Sequence, residues 1–274
     1  MNLAVPWIGV GVTYLLYQGF PPSFNVLFLI NIWIFSLPHT FSTFTRSDRR
    51  SGRSIGLTML LLVVFLVGIV TALNISGMVA LYSFYFYWQQ FHYGKQNLGV
   101  ALREGGTQSV NLDKFFYLSV VVLSLMGLFS GGAQSFFGYV LFSPIEHGLS
   151  KISLFAGIAV LTILFVLIRP KQRLHAISHS FIFSFSYLYC EHFALGWLIM
   201  NVFHNIQYLK FMNSFEKNKS FIFWPVGLTV VLYILQTHVL KGMILLSLPV
   251  GVGIMLAMNF THYTLDAYIW KQKI

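Results

Sequence analysis

Three histidines in this chain recur within one pattern of polar neighbours. Gln89, His92 and Gln96 stand at i−3, i and i+4, and Asn201, His204 and Tyr208 repeat the spacing, as do Asn259, His262 and Asp266. Residues three and four apart share a helical face, so each set forms a polar stripe about 10 Å long. Imidazole nitrogen binds metals and carries protons near neutral pH, and an amide, phenol or carboxylate one turn away can orient it. The stretch FHNIQYLK, 203–210, adds Asn205 and Gln207 to the second stripe, and His39 in LPHTF lies at the corresponding end of its own apolar run. Asp266 is the only acidic residue in the inward half of an apolar run. A carboxylate there orients a histidine, ligates a metal or pairs with a nearby cation.

The remaining residue types narrow the chemistry. A single cysteine, Cys190, excludes an internal disulfide and a multi-thiolate zinc site, so any metal must be held by imidazole and oxygen. Such a donor set suits iron, zinc, copper or manganese. There is no Gly-rich nucleotide loop, no serine-centred elbow and no HExxH. His175 and His179, at i and i+4, could chelate a metal on one helix face, but they follow Arg173 and suit a headgroup position as well. The aromatic run YSFYFYWQQFHY, Tyr82 to Tyr93, reads as packing and an interface belt. Beside a polar chamber, its Trp88 would also suit a long, flat apolar substrate.

The elements that position these residues are apolar helices. Hydrophobic residues make up 57% of the 274-residue chain and charged residues 9%, and the mean hydropathy is +0.73. That surface does not suit water, and the expectation is an all-α, polytopic transmembrane helical bundle forming a single integral membrane domain, 1–274. Runs of about 20 apolar residues give candidate spans at roughly 4–20, 24–45, 55–73, 77–100, 115–141, 150–169, 174–190, 191–211, 221–238 and 242–271. Glu191 is the expected break in the long run from His175 to Met212, and Pro249 is expected to kink the last helix or split it, so the count is about 8–10.

Of the 17 Lys and Arg residues, all but Lys151 and Lys241 fall on one side of this division. The positive-inside tendency makes that side cytoplasmic, with both termini there. The N-terminus has no basic region or cleavage pattern and is expected to be retained. The net charge of +10 is therefore spent on headgroups and orientation, and a nucleic-acid partner is not expected. In this frame His39, His92, His204 and His262 share one leaflet, and stripes in hydrocarbon must turn inward, enclosing a polar chamber below the cytoplasmic surface.

The motifs LPHTF (37–41), FHYG (91–94), FHNIQY (203–208) and THYTLDAYIW (261–270) resemble, in order and approximate spacing, the four histidine motifs of the Brp/Blh family of β-carotene-cleaving dioxygenases. The resemblance spans nearly the full chain. It implies a polytopic membrane enzyme in which His39, His92, His204 and His262 bind a non-haem iron. Two motifs depart from the family: Thr40, Phe41, Ser42 and Thr43 stand where its first motif continues with Gly and Asp, and Tyr208 stands where its third motif has a second histidine. The closing HYTLDAYIWK also resembles a signature of an uncharacterised neighbouring family of bacterial membrane proteins.

Residues and resemblance together lead to one expectation. The chain is a multi-pass protein of a bacterial inner membrane, surrounded by membrane lipids. It is expected to act as a non-haem Fe(II) oxygenase on a lipophilic small molecule, a carotenoid, isoprenoid or lipid, with O2 as co-substrate. Asp266, Tyr208 and Gln96 are the candidate catalytic residues, and Asn205, Gln207, Asn259 and Trp88 the candidate cofactor- or substrate-contacting ones. His39, His92, His204 and His262 are the candidate ligands, with His175 and His179 as further candidates. A metal-ion or proton transporter using the same histidines is a second class, and a haem-binding or structural membrane protein a third. Glu146, His147, Glu191, His192 and His238 lie near the opposite face, but the middles of most spans are apolar, which argues against a continuous translocation path.

Overall fold

The computed structural model describes residues 3–40, 42–43, 55–73, 75–105, 109–136, 139–143, 146–190, 192–215 and 256–266. The expected span 221–238, the break at Glu191, the bend at Pro249, His238 and the basic residues of 46–53 lie outside them. The described chain is all-α apart from one pair of two-residue strands. It divides into two compact units: Met1–Asn25 with Val79–Gln207, and Val26–Met78 with Tyr208–Ile274.

In the first unit, α1 (Ala4–Gly19) stops before Phe20, whose extended backbone leads into the Pro21–Ser23 turn. Two prolines in succession cannot supply helical N–H groups, so the chain must turn there. α5 (Val110–Ser119) is capped by Ser109, whose hydroxyl accepts from the Leu112 amide at 3.2 Å, with Asp113 in the first turn favouring the helix dipole. A π-helical turn (Val120–Met126) carries it into α6 (Gly127–Ser130).

Here the structure differs from the expected 115–141 span. The helix starts earlier and ends at Ser130, and beyond it β1 (Ser135–Phe136) pairs antiparallel with β2 (Tyr139–Val140). Gly132, at φ +105°, takes a backbone that a side chain would strain, and it ends the helix. α7 (His147–Leu167) follows, and Arg173 donates to the Ile168 and Val166 carbonyls at its C-terminal end, at 3.0 and 2.9 Å. α8 begins with Pro170 at its first position, the place where a missing N–H costs nothing, and runs Pro170–Ser184 into a π-helical turn (Phe185–Tyr189). Cys190 is extended and α9 (Phe193–Phe215) starts afresh after it.

In the second unit, α2 (Phe24–Ile30) passes through a π-helical turn (Asn31–Ser36) into helix 37–40, which carries His39. The turn inserts a residue and re-phases the face that follows it. α3 (Ile55–Ala72) has no charged residue, and α10 covers 256–266. α4 (Ile75–Gly105) and α9 are each continuous across a unit boundary.

Among the described residues, three helical stretches are long and apolar enough to cross a membrane: Pro21–Thr40, Val110–Ser130 and His147–Leu167. α7 exposes Ile152, Phe155, Ile163 and Val166, each more than 60% accessible. A stripe of that kind fits lipid rather than water.

Candidate metal centre

In the first unit, the polar stripes of α4 and α9 face each other and are joined by hydrogen bonds. His92 and His204 are buried with their Nε2 atoms 3.2 Å apart. Two nitrogens bound to one ion at about 2.0–2.1 Å, with an angle of 90–109° between them, stand about 2.9–3.4 Å apart, so this spacing fits adjacent ligands. The Tyr93 ring lies against His204, centroids 4.3 Å apart, and its hydroxyl donates to Asn201 Oδ1 at 2.7 Å. Gln96 Nε2 donates to the His204 carbonyl at 3.1 Å and reaches Gln207 Oε1 at 3.4 Å. Below this pair, Trp197 Nε1 donates to Gln89 Oε1 at 2.7 Å, and Asn201 Nδ2 donates to the Trp197 carbonyl at 2.8 Å. Such bonds hold two helices in one register, because an unpaired polar group in hydrocarbon is expensive.

α9 can approach the end of α8 so closely because residue 196 is glycine. A Cβ there would run into the carbonyl oxygen of Ser186. The backbone of α9, and with it His204, sits where only a residue without a side chain permits.

In the second unit, His39 and His262 are buried edge to face, centroids 4.5 Å apart and planes at 90°. Tyr208 stacks flat on His39 at 3.9 Å with an interplanar angle of 2°. Thr43 Oγ1 lies 2.9 Å from the Tyr208 hydroxyl and 2.9 Å from Asp266 Oδ1. Asp266 is itself buried on α10, one turn beyond His262.

His39, His92, His204 and His262, all buried and each offering one ring nitrogen, make a group that could hold a metal ion. Neutral imidazole in a dry setting is the right donor for iron, zinc, copper or manganese. His175 and His179 are not of that group. His179 is buried in the first unit with Nδ1 2.9 Å from Asn97 Nδ2 and Nε2 3.3 Å from the Phe116 carbonyl. A carbonyl only accepts, so Nε2 carries the proton and the Nδ1 lone pair takes the Asn97 amide. Both nitrogens are spent on helix cross-links. His175 pairs with Glu104 at 3.3 Å.

Of the other candidates, Asn205 is buried and Asn259 half-buried. Trp88 is 39% exposed and packs edge-on against Phe84, away from the buried stripe of its own helix. Four residues outside the expected site residues make these contacts: Tyr93, Trp197 and Asn201 in the first unit and Thr43 in the second. In the sequence, Asn201 stands in a polar stripe and Thr43 among the departures from a motif. The signal available for Thr43 was its place four residues after His39, on the same face. No family model, curated protein or solved structure matches the chain.

Proposed function

We propose that the two histidine pairs serve a single metal ion and that the protein is a membrane-embedded oxygenase of the non-haem iron type, acting on a lipophilic substrate with O2. The observation that carries the reading is the continuity of α9. His204 and Tyr208 stand one turn apart on this unbroken helix, the first beside His92 and the second flat on His39. A helix of fixed pitch that contacts both pairs within one turn favours one centre over two.

The donor set supports iron as well as zinc, copper or manganese, and the resemblance of LPHTF, FHYG, FHNIQY and THYTLDAYIW to the Brp/Blh motifs favours iron. Bound there, a non-haem iron would supply the oxygen chemistry of the reaction. The chain's own residues hold and orient. Gln96 fixes the α9 backbone at His204, Tyr93 packs its ring, Tyr208 lies on His39, and Asp266 anchors the second pair through Thr43. The apolar surroundings keep water out and suit a carotenoid, isoprenoid or other lipid arriving from the bilayer. The wider setting proposed is a multi-pass bundle of about 8–10 spans in a bacterial inner membrane, with both termini cytoplasmic.

Metal analysis of the detergent-purified chain tests this. The expected result is one ion per chain, lost in His204→Ala and in His39→Ala alike, because both pairs serve the same ion. A wild type that purifies without metal and takes up no Fe(II), Zn(II), Mn(II) or Cu(II) would refute the reading. So would metal that survives in His39→Ala but not in His204→Ala, which would confine it to one pair.

A further inference from the structure

We infer that Thr43 is a positioning residue for His39: its hydroxyl ties the Tyr208 phenol to the Asp266 carboxylate and so holds the His39 imidazole in one plane. The inference rests on the metal reading above, and concerns a residue to which neither the motifs nor their resemblance assigns a role.

The hydrogen bonds have one direction. Thr43 is fully buried and has a single proton to give. Its Oγ1 is 2.9 Å from Asp266 Oδ1 and 3.5 Å from the His39 carbonyl, and that carbonyl already accepts from Ser42 Oγ at 2.7 Å. The shorter, charge-assisted bond takes the proton, so Thr43 donates to Asp266. The Tyr208 hydroxyl, 2.9 Å from the same oxygen, must then donate to Thr43. The chain runs from phenol to threonine to carboxylate, and each link sets the next.

Its consequence falls on His39. The phenol ring lies parallel to the imidazole at 3.9 Å, while the His262 ring stands at 90° to the same imidazole with centroids 4.5 Å apart. An imidazole with one ring flat against it and a second perpendicular to it can rotate about its Cβ–Cγ bond only if one of them moves. His262 is on the same short helix as Asp266, and Tyr208 is tethered to Asp266 through Thr43. One hydroxyl therefore locks both neighbours of the His39 ring to a common anchor. A ligand held in this way spends less ordering entropy when it binds, and the loss of such support typically weakens metal binding about 10- to 100-fold.

The test uses the full-length protein in detergent with Co(II) as the probe, because its visible bands report ligand geometry. Thr43→Val, Thr43→Ser, Tyr208→Phe and the Thr43→Val/Tyr208→Phe double variant are compared with wild type for Co(II) affinity, band positions and unfolding temperature. Thr43→Val and Tyr208→Phe should each weaken Co(II) about 10-fold and shift the bands. Thr43→Ser, which keeps the hydroxyl, should stay near wild type, and the double variant should be no weaker than the weaker single one, since both break one chain. Wild-type affinity and bands in Thr43→Val, with or without a lower unfolding temperature, would overturn the positioning role alone. Additive losses in the double variant would overturn it as well. If Thr43→Val does not fold, Tyr208→Phe, which leaves the Thr43–Asp266 bond in place, decides by the same criteria. A wild type that binds no Co(II) removes the metal reading itself, a result distinct from any of these.

Discussion

His179 offers a clear test of whether a buried histidine in this chain is a ligand or a cross-link. Replacing it with Phe keeps a ring of similar size in the slot between Phe116, stacked at 4.4 Å, and Phe183 at 4.7 Å, so little cavity forms. What disappears is the pair of hydrogen bonds. The Asn97 amide loses its acceptor in a buried place, at a cost of about 1–3 kcal/mol. The Phe116 carbonyl keeps the Val120 amide as a partner, so its loss is that of one ordinary hydrogen bond, about 0.5–1 kcal/mol. Together His179→Phe should destabilise by about 1.5–4 kcal/mol, a large share of the roughly 5–15 kcal/mol typical of a folded domain. Denaturant unfolding in detergent measures the loss, and metal content measured on the same sample should equal that of wild type. Wild-type stability with loss of metal would refute the cross-link and make His179 a ligand.

Three further outcomes follow from named contacts. Gly196→Ala places a methyl group on the Ser186 carbonyl and must push α9 from the π-helical turn that follows α8; unfolding should come about 1–3 kcal/mol easier, and metal affinity should fall because His204 moves with the helix. Tyr93→Phe leaves Asn201 Oδ1 buried without its 2.7 Å donor, so it should cost about 1–3 kcal/mol, and pairing it with Asn201→Leu should cost less than the two single changes added; additivity would show that the bond is immaterial. In a Cys190→Ser background, single cysteines introduced within 46–53 and after Trp270 should label from the same side of the membrane, as their shared basic charge requires, and labelling from opposite sides would overturn the assigned parity.

Local rules govern what was legible in the order of residues. Composition and apolar runs are properties of the chain alone, so membrane character and all-α class were legible before any fold. The i−3, i, i+4 spacing was legible for the same reason: on α4, α9 and α10 it places polar groups on one face whatever that face meets. End points were harder. Helix 110–130 stops eleven residues short of the apolar run because Gly132 adopts a positive φ, which apolarity does not encode.

The partners were decided by tertiary structure. Thr43 meets Asp266 across 223 residues and Tyr208 across 165, Tyr93 meets Asn201 across 108, and His179 meets Asn97 across 82. A histidine's type says that it can bind a metal or a hydrogen-bond partner, but not which. At His179 the neighbours take both nitrogens, while at His92 and His204 two Nε2 atoms stand as close as ligands of one ion. The distinction lies in where helices far apart in sequence pack, and hydrogen-bond geometry over 3 Å has no signature in the order of residues.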